Sequence, residues 1–369
     1  GQFLRQLEVI DKVEFLINRN ADFILEKIST SGTFPVITAD NELISLDSGA
    51  GINIILYPCA EEEWAYHSLK YSSSEPFFEA LNLTDKKSAT TEKAFASLQL
   101  PFLPPYLRED PALIPLLANR QLPEIISTKD IRGIIHSHSN WSDGSNTIEE
   151  MAIACMERGL EYLVVSDHSR SAFYAQGLHV EKIVAQHQLI DELNNRLKPF
   201  KIFKSIESDI LSDGSLDYEE NILQSFDLVI ASVHSNLKMT EEKAMSRLLR
   251  AIENPYTTIL GHMTGRLLLS RPGYPVDHKK IIDACAANHV AIELNAHPSR
   301  LDIDWRQISY ALEKNVLISI NPDAHTIEGL DDVKYGVLVA QKAMLSKENN
   351  LSSFTLSEFE KYIGEKKGK

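Results

Sequence analysis

Short apolar runs that alternate with helical segments dominate the last two-thirds of this chain. The runs are rich in Val, Ile and Leu, and they cover residues 132–135, 162–165, 202–206, 228–233, 257–260, 290–294 and 316–320. The segments between them have the apolar spacing of amphipathic helices, as in residues 147–158, 180–197 and 241–253. Strands that alternate with helices predict an α/β fold with a parallel sheet, and seven or eight such units in about 240 residues close most economically into a barrel.

Residues of the kinds that bind metal ions follow six of these runs. They are His136, His138, Asp143, His168, Glu207, His234, His262, Asp323 and His325. Barrel strands present functional side chains at their carboxyl ends, and all of these residues fall there. Imidazole and carboxylate groups suit manganese, zinc or iron, and nine such groups exceed the roughly four to six ligands of one ion, so the pattern predicts two or three ions. The seventh run, 290–294, ends in Asn295 and carries no obvious ligand.

Single histidines after strands are weak evidence for a metal site, because such a residue is more often a structural polar group. Two pairs are stronger evidence. His136 and His138 are two positions apart, and residues two apart on a strand point to the same face, so both can hold one ion. The same spacing holds for Asp323 and His325. We expect most of the remaining histidines to be structural: His67, His179, His187, His278, His289 and His297.

Two aspartates have alternative interpretations. Asp143, in Trp-Ser-Asp-Gly, is a candidate ligand, but it also suits a turn or the N-terminal cap of the helix that starts near Asn146. Asp167 precedes His168 in the sequence. A role behind the ligands, or facing the substrate, suits Asp167 as well as direct ligation does.

Several of these segments together carry a family resemblance. The motifs are Gly-Ile-Ile-His136-Ser-His138, Trp-Ser-Asp143-Gly, Ser-Asp167-His168-Ser, Ile-Glu207-Ser-Asp, Ala-Ser-Val-His234-Ser, Gly-His262-Met-Thr-Gly-Arg266, Glu-Leu-Asn295-Ala and Asp323-Ala-His325. From about Asp130 to its end the chain resembles the polymerase and histidinol phosphatase (PHP) domain, and more narrowly the PHP domain of bacterial and archaeal family X DNA polymerases. The resemblance implies a distorted seven-stranded, TIM-like β/α barrel over 130–369. It also implies three divalent metal ions held by the nine residues above, and 3′-5′ exonuclease and phosphatase activity on DNA ends.

The upstream third resembles the polymerase part of the same family in a degenerate form. The resemblance implies a small α+β palm-like region at 1–70 and a thumb-like helical region at 71–105. Four prolines, Pro101, Pro104, Pro105 and Pro111, then predict a linker at 106–129. Where the family has three metal-binding aspartates, this chain has Lys12, Glu14 and Asn53. Paired Mg²⁺ ions need converging carboxylates, and a lysine ammonium among them repels the cations. We therefore expect a palm remnant without polymerase activity.

The formal net charge of −15 bears on the substrate. Proteins that hold long duplex DNA usually present a basic stripe, and none is visible in this sequence. Bound metal ions make a pocket locally positive even on an acidic protein. Such a pocket favours an enzyme that binds one terminal phosphate over one that tracks along a duplex. Arg266, Arg271 and Arg300 follow strand-end motifs and are candidates for phosphate contacts, with solvated surface arginines as the alternative.

The sequence leaves three hypotheses about function. The first is an exonuclease or 3′-end phosphatase that acts on DNA ends or oligonucleotides through a metal-bound hydroxide, without a side-chain nucleophile and with Mn²⁺ favoured over Zn²⁺ or iron. The second is a phosphatase of a small phosphomonoester, resembling the histidinol phosphatase branch. The third is a noncatalytic, metal-stabilised DNA-repair scaffold. Nine ligands argue against the third, because a structural site is closed by about four.

Composition points to a soluble enzyme. No apolar stretch approaches the roughly 20 residues of a membrane span, so we expect no membrane role. Cys59, Cys155 and Cys285 are widely spaced and form no pair motif, which suits a reducing cytoplasm.

Overall fold

The computed structural model describes residues 1–83 and 90–367, which divide between two compact units, Gly1–Glu124 and Ile125–Lys369. The first unit contains strands β1 (Lys12–Ile17), β2 (Val36–Ala39), β3 (Ile44–Asp47) and β4 (Asn53–Pro58). Its α-helices are α1 (Ala21–Ser31), α2 (Trp64–Tyr71), α3 (Glu75–Ala80), α4 (Thr91–Ser97) and α5 (Leu113–Leu117), with 3₁₀ helices at Glu61–Glu63 and Pro105–Leu107. The sheet has the order β1-β4-β3-β2, with β1 and β4 parallel and the other pairs antiparallel. Its apolar side packs on α1 through Ile24, Ile44 and Leu56.

The segment predicted as a linker, 106–129, lies mostly inside the first unit, because the division between the units falls at Glu124 and Ile125. Helix α5 forms within it, and Arg108 is buried there. The guanidinium of Arg108 donates hydrogen bonds to the carbonyl oxygen of Leu103 at 2.7 Å and to Oγ of Ser72 at 2.5 Å. This part of the chain is therefore packed structure rather than a spacer. Within the predicted thumb-like region, residues 84–89 lie outside the described residues, and the palm and thumb assignments stay predictions.

The second unit is a barrel of seven parallel strands surrounded by helices. The strands are β5 (Gly133–Ser137), β6 (Tyr162–Val165), β7 (Lys201–Asp209), β8 (Leu228–Ser232), β9 (Thr257–Leu260), β10 (Ala291–Asn295) and β11 (Ile318–Asn321). The α-helices are α6 (Ile148–Glu157), α7 (Val180–Arg196), α8 (Glu220–Leu223), α9 (Glu241–Ile252), α10 (His278–Asn288), α11 (Ile308–Glu313), α12 (Val333–Lys342) and α13 (Leu356–Lys367). Short 3₁₀ helices lie at Thr128–Asp130, Phe173–Ala175, Trp305–Gln307, Glu328–Asp332, Lys347–Asn349 and Leu351–Ser353. None of the helices in the described residues is long and apolar enough to cross a membrane.

The strands follow one another around the sheet in chain order, from β5 to β11, and all of the pairs are parallel. At the carboxyl ends the first and last strands meet, where Ser137 bridges to Ala324 and the amide of His138 donates to the carbonyl oxygen of Ala324 at 2.8 Å. The sheet is thus nearly closed, which confirms the predicted β/α barrel. Closure brings the carboxyl end of β11 beside that of β5, although the two strands are far apart in sequence.

Local sequence explains why these elements form where they do. The strands are short β-branched and Leu-rich runs buried on both faces, as expected of parallel strands covered by helices. The helices start at capping residues: the side chain of Thr147 accepts from the amide of Glu150, and that of Thr240 accepts from the amide of Lys243. Each cap satisfies an amide that has no partner within the helix.

The two ends of the barrel interior differ in polarity. At the amino end, Tyr162 and Phe203 point inward and meet Phe359 of α13, whose ring stacks on Tyr162 with centroids 4.6 Å apart. Glu207 on β7 and Glu293 on β10 are buried nearer the carboxyl ends, with Asn321 of β11 beside them. The barrel therefore has an apolar floor, closed by α13, and a polar rim.

The packing of the apolar floor can be tested at Gly133. A Cβ atom built on Gly133 would lie 2.1 Å from the Tyr162 ring, which is fully buried and hydrogen-bonded to the carbonyl oxygens of Leu351 and Phe354. We expect Gly133→Ala to lower the free energy of unfolding by about 1–3 kcal/mol, because overpacked cores must shift to fit. Chemical denaturation followed by circular dichroism measures the change.

Gly364→Ala is the matched control, because a Cβ at Gly364 in α13 meets nothing within 4 Å. Alanine is favoured over glycine in a helix by about 1 kcal/mol, so this variant should be at least as stable as the parent protein. Equal stability of both variants would contradict the packing of Tyr162 described above.

Candidate metal centre

All nine predicted ligands lie together at the carboxyl ends of the barrel strands. Among the described residues, three groups place ligand-type atoms within 4.8 Å of one another: His138, Asp143, His168 and His325; His136, His138 and Asp323; and His168, Glu207 and His234. His262 completes the set, since its Nε2 atom is 2.9 Å from Oε1 of Glu207. His138 and His168 each occur in two groups, so the groups form one continuous cluster.

Glu207 occupies the middle of this cluster and is 1% exposed. Its two oxygens face different histidines. Oε1 lies 3.2 Å from Nε2 of His136, 3.1 Å from Nε2 of His234 and 2.9 Å from Nε2 of His262. Oε2 lies 3.0 Å from Nδ1 of His168 and 3.6 Å from Nε2 of His138.

Charge within the cluster decides which groups are ionised. Burial raises the pKa of Glu207, but His234, His136 and His168 outweigh it and hold that pKa well below the usual range. Burial lowers the pKa of His234, yet Glu207 and Asp209 raise it to about 10. His138 behaves differently, because burial together with His168 lowers its pKa to about 3. The carboxylate of Glu207 is thus ionised, and the imidazole of His138 is neutral and able to donate a lone pair.

The chain reaches two of these positions through unusual backbone geometry. His136 has a φ angle of 65° and Asp323 has one of 54°, both in the left-handed region that disfavours side chains other than Gly. The pairing of β5 with β6 also shifts register between Ile134 and Ser137. His136 and His138 do meet, but a bulge and a left-handed residue orient them rather than simple strand alternation. Asp323 likewise lies after the end of β11, not within a strand.

Asp143 and Asp167 have separate positions. Helix α6 is capped by Thr147, so Asp143 is not its cap; Oδ1 of Asp143 lies 3.4 Å from Nε2 of His325. Asp167 is buried and accepts hydrogen bonds from Ser139 Oγ at 2.6 Å, Ser142 Oγ at 2.5 Å and Gln186 Nε2 at 2.7 Å. Burial raises the pKa of Asp167, and these hydrogen bonds oppose that rise. Through these bonds Asp167 holds the loop that leads to Asp143, and its role towards a bound metal ion stays a prediction.

Two carboxylates behind the cluster escaped the sequence analysis. Glu293 is fully buried, and one of its oxygens lies 2.6 Å from Nδ1 of His136. It also accepts hydrogen bonds from the amide of His262, from Asn295 Nδ2 and from Asn321 Nδ2, at 3.0, 3.0 and 2.8 Å. Asp209 contacts His234 as Glu293 contacts His136: Oδ1 of Asp209 lies 3.1 Å from Nδ1 of His234. A carboxylate on the far nitrogen of a metal-binding histidine fixes the ring and raises its basicity.

The signal for Glu293 was present in the sequence. Ile292-Glu293-Leu294 places one acidic residue between apolar neighbours in a buried strand, and Glu207 likewise follows an apolar residue, Ile206, in a buried strand. Asn295, at the end of this run, carries no such signal, whereas the inward-facing position of Glu293 does.

The fit of the cluster to metal ions rests on atoms that the protein leaves unsatisfied. Several buried atoms have no partner in hydrogen-bond geometry, even where a neighbour is as close as the 3.0 Å between Nδ1 of His168 and Oε2 of Glu207. They are Nε2 of His136, Nδ1 of His138, Nδ1 of His168, Oε2 of Glu207 and Nδ1 of His262. Unsatisfied buried polar atoms are rare in folded proteins because each one costs roughly 1–3 kcal/mol. Lone pairs on imidazole and carboxylate groups at short mutual distances suit divalent transition metals. The donor set therefore fits more than one such ion.

The three candidate arginines differ in their surroundings. Arg266 uses its whole guanidinium within the protein, with Nε bonded to the carbonyl oxygen of Arg300 at 2.9 Å, Nη1 to Asp304 at 2.8 Å and Nη2 to the carbonyl oxygen of Leu301. Arg271 donates to the carbonyl oxygen of Gly265. Arg300 lies beside the cluster, with its Nε atom 3.6 Å from Oδ2 of Asp323. Arg266 thus supports the loop that carries Arg300, and phosphate contact stays a prediction for Arg271 and Arg300.

The palm-like positions of the first unit form no comparable cluster. Lys12 and Asn53 are neighbours across the parallel pair of β1 and β4. Nζ of Lys12 lies 3.2 Å from Oε1 of Glu14, and Glu14 also accepts hydrogen bonds from Tyr57 Oη and the amide of Gln2, each at 3.1 Å. Burial raises the pKa of Glu14, but the hydrogen bond from the Gln2 amide and the charge of Lys12 outweigh that rise, and the net shift of the pKa is downward. This carboxylate is already neutralised by a lysine.

Comparison with known proteins gives concordant findings. Residues 135–297 match the PHP domain family. The chain is 38% identical over 291 residues to the Bacillus subtilis protein described as DNA polymerase/3′-5′ exonuclease PolX, across 79% of this chain and 51% of that protein. It therefore spans about half the length of that relative. It is 26% identical over 251 residues to a "probable phosphatase" of Thermoanaerobacter sp., across 63% of this chain and 95% of that protein.

A solved structure also shows similarity to this chain. The histidinol phosphate phosphatase of Lactococcus lactis, crystallised with zinc, L-histidinol and phosphate, is 19% identical and covers 58% of this chain and 94% of its own. The TM-score of this comparison is 0.43. The family match and the sequence relatives agree, so the chain carries a PHP domain at residues 135–297.

Proposed function

We propose that the PHP domain of this chain is a 3′-5′ exonuclease or 3′-end phosphatase that acts on DNA ends or oligonucleotides with three divalent ions, Mn²⁺ being favoured. The observation that carries the proposal is the convergence of nine imidazole and carboxylate side chains around Glu207. A structural site is closed by about four ligands, so a cluster of this size suits hydrolysis. The exonuclease named in the Bacillus subtilis relative supports the choice of substrate.

The residues of the cluster divide into two sets. His136, His138, Glu207 and Asp323 would hold one part of the metal cluster, and Asp143, His168, His234, His262 and His325 the rest. When bound, the ions lower the pKa of coordinated water towards neutrality and neutralise charge on the phosphoryl oxygens. Glu207 suits a bridging position, because its two oxygens face different histidines. Glu293 and Asp209 would keep His136 and His234 oriented for ligation.

The substrate end of the proposal rests on charge. The Nε atom of Arg300 lies 3.6 Å from Oδ2 of Asp323, so its guanidinium can donate hydrogen bonds to a terminal phosphate beside Asp323. The net charge of −15 disfavours tracking along a duplex. A single strand whose 3′ end enters the centre fits both observations.

Removal of a ligand is the first test. His138→Ala and Asp323→Ala should each lower phosphoester hydrolysis by several orders of magnitude, while circular dichroism shows a folded barrel, because the ligands lie on the rim and not in the core. The assay uses Mn²⁺-loaded protein with a labelled single strand and with a panel of phosphomonoesters. His278→Ala, which changes a histidine at the start of α10, should keep full activity. Full activity of either ligand variant, or of chelator-treated protein, would refute the mechanism.

The carboxylate behind His136 gives a second test. Glu293→Gln keeps the shape of the side chain but removes the charge that holds Nδ1 of His136. We expect Mn²⁺ affinity, measured by calorimetry, to fall about 10- to 100-fold, as is typical when such a partner is lost. Glu253→Gln, at the exposed end of α9, is the control and should leave affinity unchanged. Unchanged affinity in Glu293→Gln would show that Glu293 only fills the barrel.

The palm-like unit gives a third test. The protein should extend no primer in the presence of Mg²⁺ and all four deoxynucleotides, because Lys12 occupies a carboxylate position and pairs with Glu14 at 3.2 Å. Primer extension on a labelled template measures this directly. Template-dependent incorporation that disappears in Glu14→Gln would mean that the polymerase site is functional after all.

A further inference from the structure

Two solvent-exposed aromatic rings lie beside the metal centre. They belong to the 3₁₀ helix Phe173–Ala175, which follows the ligand His168 in the loop after β6. Phe173 is 84% exposed and Tyr174 is 62% exposed. The ring of Tyr174 lies 6.4 Å from that of His168, and the Phe173 and Tyr174 rings lie 6.2 Å apart. Neither the metal cluster nor the apolar core accounts for this pair.

The loop that carries the rings is held rigidly at its base. Asp217 is 2% exposed and accepts hydrogen bonds from the amide and the Oγ of Ser171, both at 2.6 Å. The amide of Leu178 donates to the carbonyl oxygen of His168 at 2.8 Å, which closes the loop. Gly177 allows the two sides to approach, since a Cβ there would lie 1.9 Å from the carbonyl oxygen of Ser169. The rings are therefore displayed by a fixed loop rather than by a segment that can fold them inward.

One cationic side chain belongs to the same loop as the rings, and another lies beside the metal cluster. Arg170 of the loop is 44% exposed, pairs with Asp217 at 3.4 Å and lies over the Tyr218 ring at 5.4 Å. Arg300 lies beside Asp323. Aromatic rings together with a few cations are the pattern by which proteins bind single-stranded nucleic acid, since every base offers a flat π face. The net charge of the protein is −15, so contacts with the nucleic-acid phosphates are expected to add little affinity. Stacking on the bases would supply affinity instead.

We propose that Phe173 and Tyr174 form a binding site, here called the stacking platform, for the terminal nucleobase of a single strand whose 3′ end enters the metal centre. The two rings are inclined at 75° to each other, so one ring stacks on the base while the other contacts its edge. This inference rests on the proposed function and deepens it, because the platform selects nucleotide ends over phosphomonoesters that lack a flat ring. Stacking tolerates all four bases, so the platform confers selection for a base but little selection among bases.

Binding is the first readout. The affinity of a fluorescein-labelled oligodeoxynucleotide, with a phosphorothioate at its last linkage to slow cleavage, is measured by anisotropy with Mn²⁺-loaded protein. We expect the double variant Phe173→Ala/Tyr174→Ala to bind about 10- to 100-fold more weakly. Phe173→Trp and Tyr174→Phe keep a flat ring and should retain affinity, whereas Phe173→Leu keeps apolar bulk and should not. Phe15→Ala, which removes a half-exposed ring from β1, is the control and should not weaken binding.

Hydrolysis separates this inference from the proposed function. The double variant should lose affinity, seen as a higher KM, for a strand with a normal terminal base but not for one that ends in an abasic residue. Glycerol phosphate has no ring and reports on the centre alone. If the unchanged protein hydrolyses none of these compounds, the proposed function fails. If the double variant binds and cleaves the normal strand as well as the unchanged protein does, only the stacking platform is refuted.

Discussion

The structure depends on one buried carboxylate and the histidines that surround it. Glu207 is almost completely buried, and an ionised carboxylate is stable there only if opposite charges or metal ions compensate for lost hydration. Five histidines approach its two oxygens, and they come from the loops or ends of β5, β6, β8 and β9. A sheet that curls into a barrel is the arrangement that brings so many strand ends to one point. Fold and site are thus consequences of the same closure.

Closure also explains the backbone strain at two ligands. His136 and Asp323 adopt left-handed conformations where β5 and β11 meet, and such residues cost on the order of 1–3 kcal/mol each. The cross-strand hydrogen bonds of Ala324 with His136 and His138 hold both residues in place. Behind them, Glu293 accepts hydrogen bonds from β10, β11 and the His262 loop at once. The hydrogen-bond network at this seam keeps the strained residues where the cluster needs them.

The sequence predicted the barrel and the grouping of the ligands, because both follow from short-range patterns: a strand, a ligand and then a helix. It predicted less where geometry depends on contacts between distant segments. Glu293 contacts Nδ1 of His136, which is 157 positions away, and no local pattern predicts that contact. Arg266 was a candidate for phosphate, yet it binds the carbonyl oxygens of Arg300 and Leu301, an outcome that requires knowing where that loop folds. The prolines predict a linker at 106–129, but Arg108 is buried within that segment and donates a hydrogen bond to Ser72, which is distant in sequence.

The aromatic floor of the barrel has a consequence for how the protein is made on the ribosome. Tyr162 and Phe203 are synthesised early, whereas their partner Phe359 belongs to α13, about 150 to 200 residues later in the chain. Domains generally begin to fold from the amino-terminal side during synthesis, and exposed apolar surface in such intermediates favours aggregation. Until α13 has been synthesised, Tyr162 and Phe203 lack Phe359, and the apolar floor of the barrel has no cover.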